Sequence, residues 1–153
     1  MQTTMADEVT KKSREDRTAL IRALLEKLEA LNLGSFRLEC DGMTRCISAL
    51  LADAGIEHMV HLGQLSAEGK KTVVHYWIEV ESGELVDLCA RAWMGDSPEI
   101  PHGVFRHPSG VTYATSERLF PHQFAASDFL FQVLTGHTFD EFKGPAPAHQ
   151  AWA

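Results

Sequence analysis

The chain has 153 residues, a formal net charge of −7, 44% hydrophobic and 23% charged residues. That length suits one domain able to bury roughly 70% of the surface its unfolded chain exposes, and the composition argues against disorder, collagen or a coiled coil. The nearest thing to a basic run, Lys11, Lys12 and Arg14, is flanked by Asp7, Glu8, Glu15 and Asp16, so the basic footprint that nucleic acid requires is missing and no nucleic-acid partner is expected.

No stretch approaches the ~20 apolar residues that span a bilayer, and the polar segment from Met1 to Arg17 has no apolar leader core. The expectation is a cytoplasmic protein with no membrane partner. Three cysteines, Cys40, Cys46 and Cys89, fit neither a zinc knuckle nor a CxxC motif, which points to free thiols in a reducing compartment.

In chain order, residues 1–12 read as a disordered polar tail, and 13–143 as one domain. Ser13 with Asp16 resembles a variant capping box. Leu20, Leu24, Leu28 and Leu31, widened by Ile21 and Leu25, then recur at helical spacing as far as Gly34, predicting a helix over 14–32. A second helix opens at Cys40. Its apolar stripe is Met43, Cys46, Ile47, Leu50, Leu51 and Ala54, and Gly55 ends it. The period then changes. Ile56 to Leu65 and Thr72 to Val80 read as strands, and Glu81-Ser82-Gly83-Glu84 as a hairpin turn leading into a return strand, Leu85 to Leu88. Residues 94–115 hold Pro98, Pro101, Pro108, Gly95, Gly103 and Gly110 and read as a long irregular stretch, a natural specificity lid. Phe124 to Leu134 predicts a last helix ended by Gly136, and 144–153 a flexible tail. Helices around a few adjacent antiparallel strands make an α+β fold.

A cysteine nucleophile needs thiolate character, a nearby base and a group that orients the base. Helix N-termini favour thiolates through free N–H groups and the helix dipole. Cys40 stands at such a start, His75 in the second strand and Asp87 in the return strand of the same hairpin, so the hairpin can carry an imidazole to the thiol and a carboxylate to the imidazole. Cys46, mid-stripe, reads as core; Cys89, close enough to Asp87 to line the site, reads as strand packing. Trp77 shares a strand face with His75 and is a candidate site wall. Glu79 reads as a solvated or ion-paired carboxylate, and Gln64 is a candidate to polarise a carbonyl. His58 and His61, three apart in a strand, face opposite sides, and His102, His107 and His122 lack ligand spacing. No metal and no cofactor are expected.

These residues resemble a family. The run from Cys40 through Gly55-Ile56, the string His75-Tyr76-Trp77-Ile78-Glu79-Val80 preceded by Gly63, and Gly83-Glu84-Leu85-Val86-Asp87 are similar, in order and interval, to the transglutaminase-like superfamily with its papain-related core. The similarity covers about residues 36–93. Two features depart from the family pattern: Asp87 is followed by Leu88-Cys89 instead of proline, and Cys40 by Asp41-Gly42 instead of an aromatic residue. The resemblance implies a nucleophile helix packed on a small antiparallel sheet, with added N- and C-terminal helices, and a Cys40–His75–Asp87 triad. It implies action on an amide or thioester through a thioacyl intermediate, read here as hydrolysis of a peptide or isopeptide bond in a peptide or protein substrate. The alternatives are transfer to an amine acceptor, as in a transglutaminase or acyltransferase, and a catalytically inactive binding module of the same fold.

Overall fold

A computed structural model describes residues 3–31, 39–72, 74–106 and 108–143. The first helix, α1, runs Met5–Leu31, so the start of the chain that reads as a disordered tail is helical from Met5. Its cap is not Ser13 with Asp16. The Thr4 hydroxyl accepts the Asp7 N–H at 3.1 Å and the Asp7 carboxylate accepts the Thr4 N–H at 3.2 Å, a reciprocal box one residue ahead of the helix. Gly34 and the flexible tail expected at 144–153 lie outside the described residues.

The second helix, α2, runs Cys40–Asp53, as its stripe predicts. Met43, Cys46, Ile47, Leu50 and Leu51 are buried, whereas Ala54 lies past the helix end and is exposed. Gly55 adopts φ +73°, where a side chain is strained.

Six strands follow: β1 His58–Ala67, β2 Lys70–Lys71, β3 His75–Val80, β4 Leu85–Asp87, β5 Gly103–Phe105 and β6 Val111–Leu119. A short helix, α3 (Ala90–Trp93), separates β4 from β5. All pairings are antiparallel. The path is β6–β1–β3–β4–β5, and β2 extends the β3 edge of β1.

The stretch 94–115 is therefore not a free lid, because β5 and the first half of β6 lie inside it. Prolines and glycines at its bends hide two strands, and β6 gives little apolar signal because Ala114 to Arg118 are exposed. The β1/β6 ladder slips register between Leu62 and Gly63. A Cβ on Gly63 would fall 1.9 Å from the Ala114 carbonyl oxygen, so the slip admits only glycine.

The expected last helix is two pieces, α4 Pro121–Phe124 and α5 Asp128–Thr135, followed by α6 Phe139–Phe142. Ser127 restarts the helix by accepting the Leu130 N–H at 3.1 Å, and Gly136 ends it at φ +77°.

The main core lies on one face of the sheet. There Ile21, Leu25 and Leu28 of α1 and the α2 stripe meet Val60, Ile78, Val80 and Val86, and Phe124, Phe131 and Phe142 close the cluster. Full burial of each large side chain stabilises by about 1.5–3 kcal/mol. A smaller cluster of Leu65, Ala67, Ala90, Met94, Ile100 and Val111 fills the opposite face. Phe105 of β5 and Tyr113 of β6 have ring centroids 6.0 Å apart although their strands are at opposite ends of the path. The sheet therefore coils until its edges approach, as twisted sheets do. The architecture is a mixed α+β fold, an antiparallel sheet with helices. Among the described residues, no helix is long and apolar enough to cross a membrane.

Candidate active site

Cys40 is the first residue of α2. Glu39 ahead of it is extended and forms no side-chain cap. The first helical bond is Met43 N–H to the Glu39 carbonyl at 2.8 Å, so the N–H groups of Cys40, Asp41 and Gly42 have no acceptor within the helix. They put positive potential beside the sulfur. The main chain of β3 adds to it, because the Tyr76 N–H donates to Cys40 Sγ at 3.2 Å.

His75 opens β3 opposite Gly63 of β1. Its ring Nδ1 is 3.6 Å from Cys40 Sγ, and its Nε2 is 2.6 Å from Asp87 Oδ2. Cys40, His75 and Asp87 thus form a continuous chain of contacts, all three buried. With Nε2–H donating to the carboxylate, Nδ1 is left for the thiol.

Asp87 ends β4, and all its acceptor capacity is used. Oδ1 accepts the N–H groups of Cys89 at 2.8 Å and Ala90 at 3.0 Å, at the start of α3. Oδ2 accepts from His75 and from the Tyr113 hydroxyl at 3.0 Å. Burial and the Asp87 charge push the Tyr113 pKa up, which keeps it a donor.

The electrostatics favour a separated charge pair. The nearby Cys89 thiol is the main influence that brings Cys40 down to about 5, with His75 and the main chain of Tyr76 assisting against burial. Burial opposes the imidazolium of His75, but the Asp87 hydrogen bond and the nearby Cys40 outweigh it and raise His75 to about 9. Cys89 is itself pushed up by Cys40 and by burial, so it stays a thiol. Asp41, the acid next to Cys40 in sequence, pairs instead with Arg45 at 2.5 Å, one turn along.

The other sequence candidates fall differently. Trp77 is 2% exposed, stacked between His75 at 6.0 Å and His61 at 5.5 Å with Tyr113 edge-on at 5.0 Å. It backs the imidazole and does not form an open wall. Gln64 is exposed on β1, paired with Ala114. Strand alternation turns it to the face opposite His75, and it has no side-chain hydrogen bond to a described residue. Cys89, read as strand packing, lies just past β4 ahead of α3, buried in the main core cluster that also holds Cys40. Cys46 is core, and burial raises it to about 12. Glu79 meets His61 Nε2 at 3.3 Å. Among the described residues, no group of three or more His, Cys, Asp or Glu is arranged to hold a metal ion.

Sequence reasoning missed Tyr113. The packing expected of Cys89 agrees with its burial in the main core, and its closeness to Asp87 in sequence has a structural counterpart, because the Asp87 carboxylate accepts the Cys89 N–H at 2.8 Å. Tyr113 left no local signal. Comparison with family models, with curated proteins and with solved structures finds no match for this chain.

Proposed function

We propose that this chain is a cysteine-nucleophile enzyme of papain-like, transglutaminase-like type that cleaves a peptide or isopeptide bond through a thioacyl intermediate. The observation that carries the reading is the chain of contacts Cys40 Sγ–His75 Nδ1–Asp87 Oδ2, at 3.6 and 2.6 Å, built on a helix N-terminus.

His75 Nδ1 takes the Cys40 proton, and the resulting thiolate–imidazolium pair is held by Asp87 on one side and by the Tyr76 N–H on the other. The thiolate adds to the carbonyl carbon, and the electron pair of the C=O bond moves to oxygen. The N–H groups at the start of α2, which have no acceptor within the helix, are the candidate oxyanion donors. The C–N bond then breaks, and the leaving amine takes the proton from His75 Nδ1. Water, deprotonated by His75, attacks the thioester, releases the acid and restores the thiol. An amine in place of water gives transfer; the same groups serve both outcomes.

The test uses p-nitrophenyl acetate as a minimal acyl donor, with intact-mass and peptide mapping, followed by a chase in buffer alone or with glycine methyl ester. One acetyl group on Cys40, absent in His75→Ala and discharged by water, is the expected result. Discharge only by the amine would reassign the enzyme to transfer. No adduct on Cys40, together with a thiol that titrates near pH ~8.5, would overturn the catalytic reading in favour of a binding module of the same fold.

A further inference from the structure

Helix α1 changes character along one face. Ile21, Leu25 and Leu28 are packed into the main core, whereas the same face two to three turns earlier carries Lys11, Arg14 and Thr18, with Arg22 at its margin. These residues line a cleft of about 470 Å³ whose other wall is β5, through Val104 and Phe105. A helical face that continued to pack on the body would be apolar here, as it is from Ile21 onward.

The charges of the cleft are unequal. Glu84 and Arg106 also border it, but they neutralise each other at 2.7 Å, and Arg106 further donates to the Ser82 carbonyl at 2.8 Å. Lys11, Arg14 and Arg22 make no ion pair with a described residue, and they outnumber the remaining carboxylate, Glu15. A cationic cleft on a chain of net charge −7 is a local reversal of the field, which steers anionic partners to one place. None of Cys40, His75 and Asp87 lines the cleft, so it is separate from the thiol.

We propose that the α1/β5 cleft is a docking site for an acidic, extended polypeptide segment. Two features select a peptide over a small inorganic anion. The cations are spaced along about three turns of helix, so no single anion meets them all, whereas an extended segment can. Val104 and Phe105 supply an apolar wall between them, suited to a side chain alternating with carboxylates.

The experiment is fluorescence anisotropy with a rhodamine-labelled octapeptide alternating Glu and Val, and a Lys/Val peptide of the same length for comparison. Saturable binding of the Glu/Val peptide is expected. It should weaken at least tenfold in R14A/R22A and with rising NaCl, since exposed charges are screened. It should be unchanged in R118A, a basic change on β6, and in C40A, which separates docking from the chemistry of the thiol. Equal binding of both peptides, no effect of R14A/R22A, or full displacement by millimolar inorganic phosphate would overturn the proposal.

Discussion

Helix α2 carries two buried cysteines, Cys40 at its N-terminus and Cys46 in its middle, and the strands beside it open on two buried histidines, His75 and His58, yet the two places have opposite electrostatics. At the N-terminus Cys40 is lowered to about 5 and its partner His75 raised to about 9. One and a half turns on, Cys46 is raised to about 12, and His58, at the start of β1, is lowered by burial. Burial penalises charge at both places. The difference lies in what faces the polar atoms. Cys40 receives the Tyr76 N–H and faces His75, and His75 has a carboxylate. Cys46 is raised by burial with nothing to offset it, and His58 has two neutral partners, the Ile56 carbonyl at 2.9 Å and Ser48 Oγ at 2.7 Å. With His58 Nδ1–H donating to the carbonyl, Nε2 accepts from the serine, and the ring is satisfied without charge.

The largest effect that would break this comparison is on thiol titration. Iodoacetamide labelling followed by peptide mapping should show a Cys40 rate that inflects near pH 5 in wild type and at a distinctly higher pH in His75→Ala, where the cationic partner is gone. Cys46 should resist labelling in the native protein at either pH. Coincident inflections for the two cysteines would remove the distinction.

Asp87→Ala comes next. It leaves the His75 ring, the Tyr113 hydroxyl and two backbone N–H groups without their acceptor, a loss expected to cost about 3–5 kcal/mol in urea unfolding. A loss under about 1 kcal/mol would mean that the carboxylate is not the hub of the site.

The charge pair also predicts a pH profile. In the folded state the thiol has given up its proton near pH 5 and the imidazolium keeps its proton to about 9. In the unfolded chain the ordinary values are ~6.5 for histidine and ~8.5 for cysteine. Between those two pH values both states bind the same number of protons, and the pair's contribution to stability is level. As pH falls from 6.5 to 5 the unfolded histidine gains a proton that the folded pair does not, so stability declines. As pH rises from 8.5 to 9 the unfolded cysteine loses a proton that the folded pair keeps, so stability declines again. The difference in urea midpoint between wild type and Cys40→Ala should follow this plateau with two shoulders; a monotonic difference would refute the pairing.

Smaller effects sharpen the contrast. Tyr113→Phe removes one of four donors to Asp87 and should cost about 1.5–3 kcal/mol, the range for a hydrogen bond to a charged group, while the Cys40 inflection stays low. Ser48→Ala strips the acceptor His58 Nε2 of its partner, at about 1–3 kcal/mol, and should leave Cys40 labelling untouched. A shift of the Cys40 inflection in Ser48→Ala would show that the His58 and His75 surroundings are coupled.

What was legible from the sequence was local. The α2 stripe, the change of period after Gly55 and the turn at Gly83 each arise from neighbours a few residues apart, and the elements lie close to where those patterns put them. The positions of Cys40 at a helix start and of His75 and Asp87 on one hairpin were legible for the same reason. The start of α1 was not, because Met5 to Lys12 is exposed and helical without an apolar stripe. β6 was not, because an edge strand with an exposed outer half shows no alternation.

The sequence by itself determined which residue types could carry thiol chemistry and which helix and hairpin hold them. Only the tertiary structure decided that Cys89 lies near Cys40, that Tyr113 crosses from β6 to Asp87, that Gln64 faces away, and that one buried histidine has a carboxylate while another has a serine. Periodicity records whether a side chain is buried. The charge that a buried group carries depends on the donors and acceptors that distant segments bring to it, and here those meet only because the sheet coils and α3 turns back onto its end.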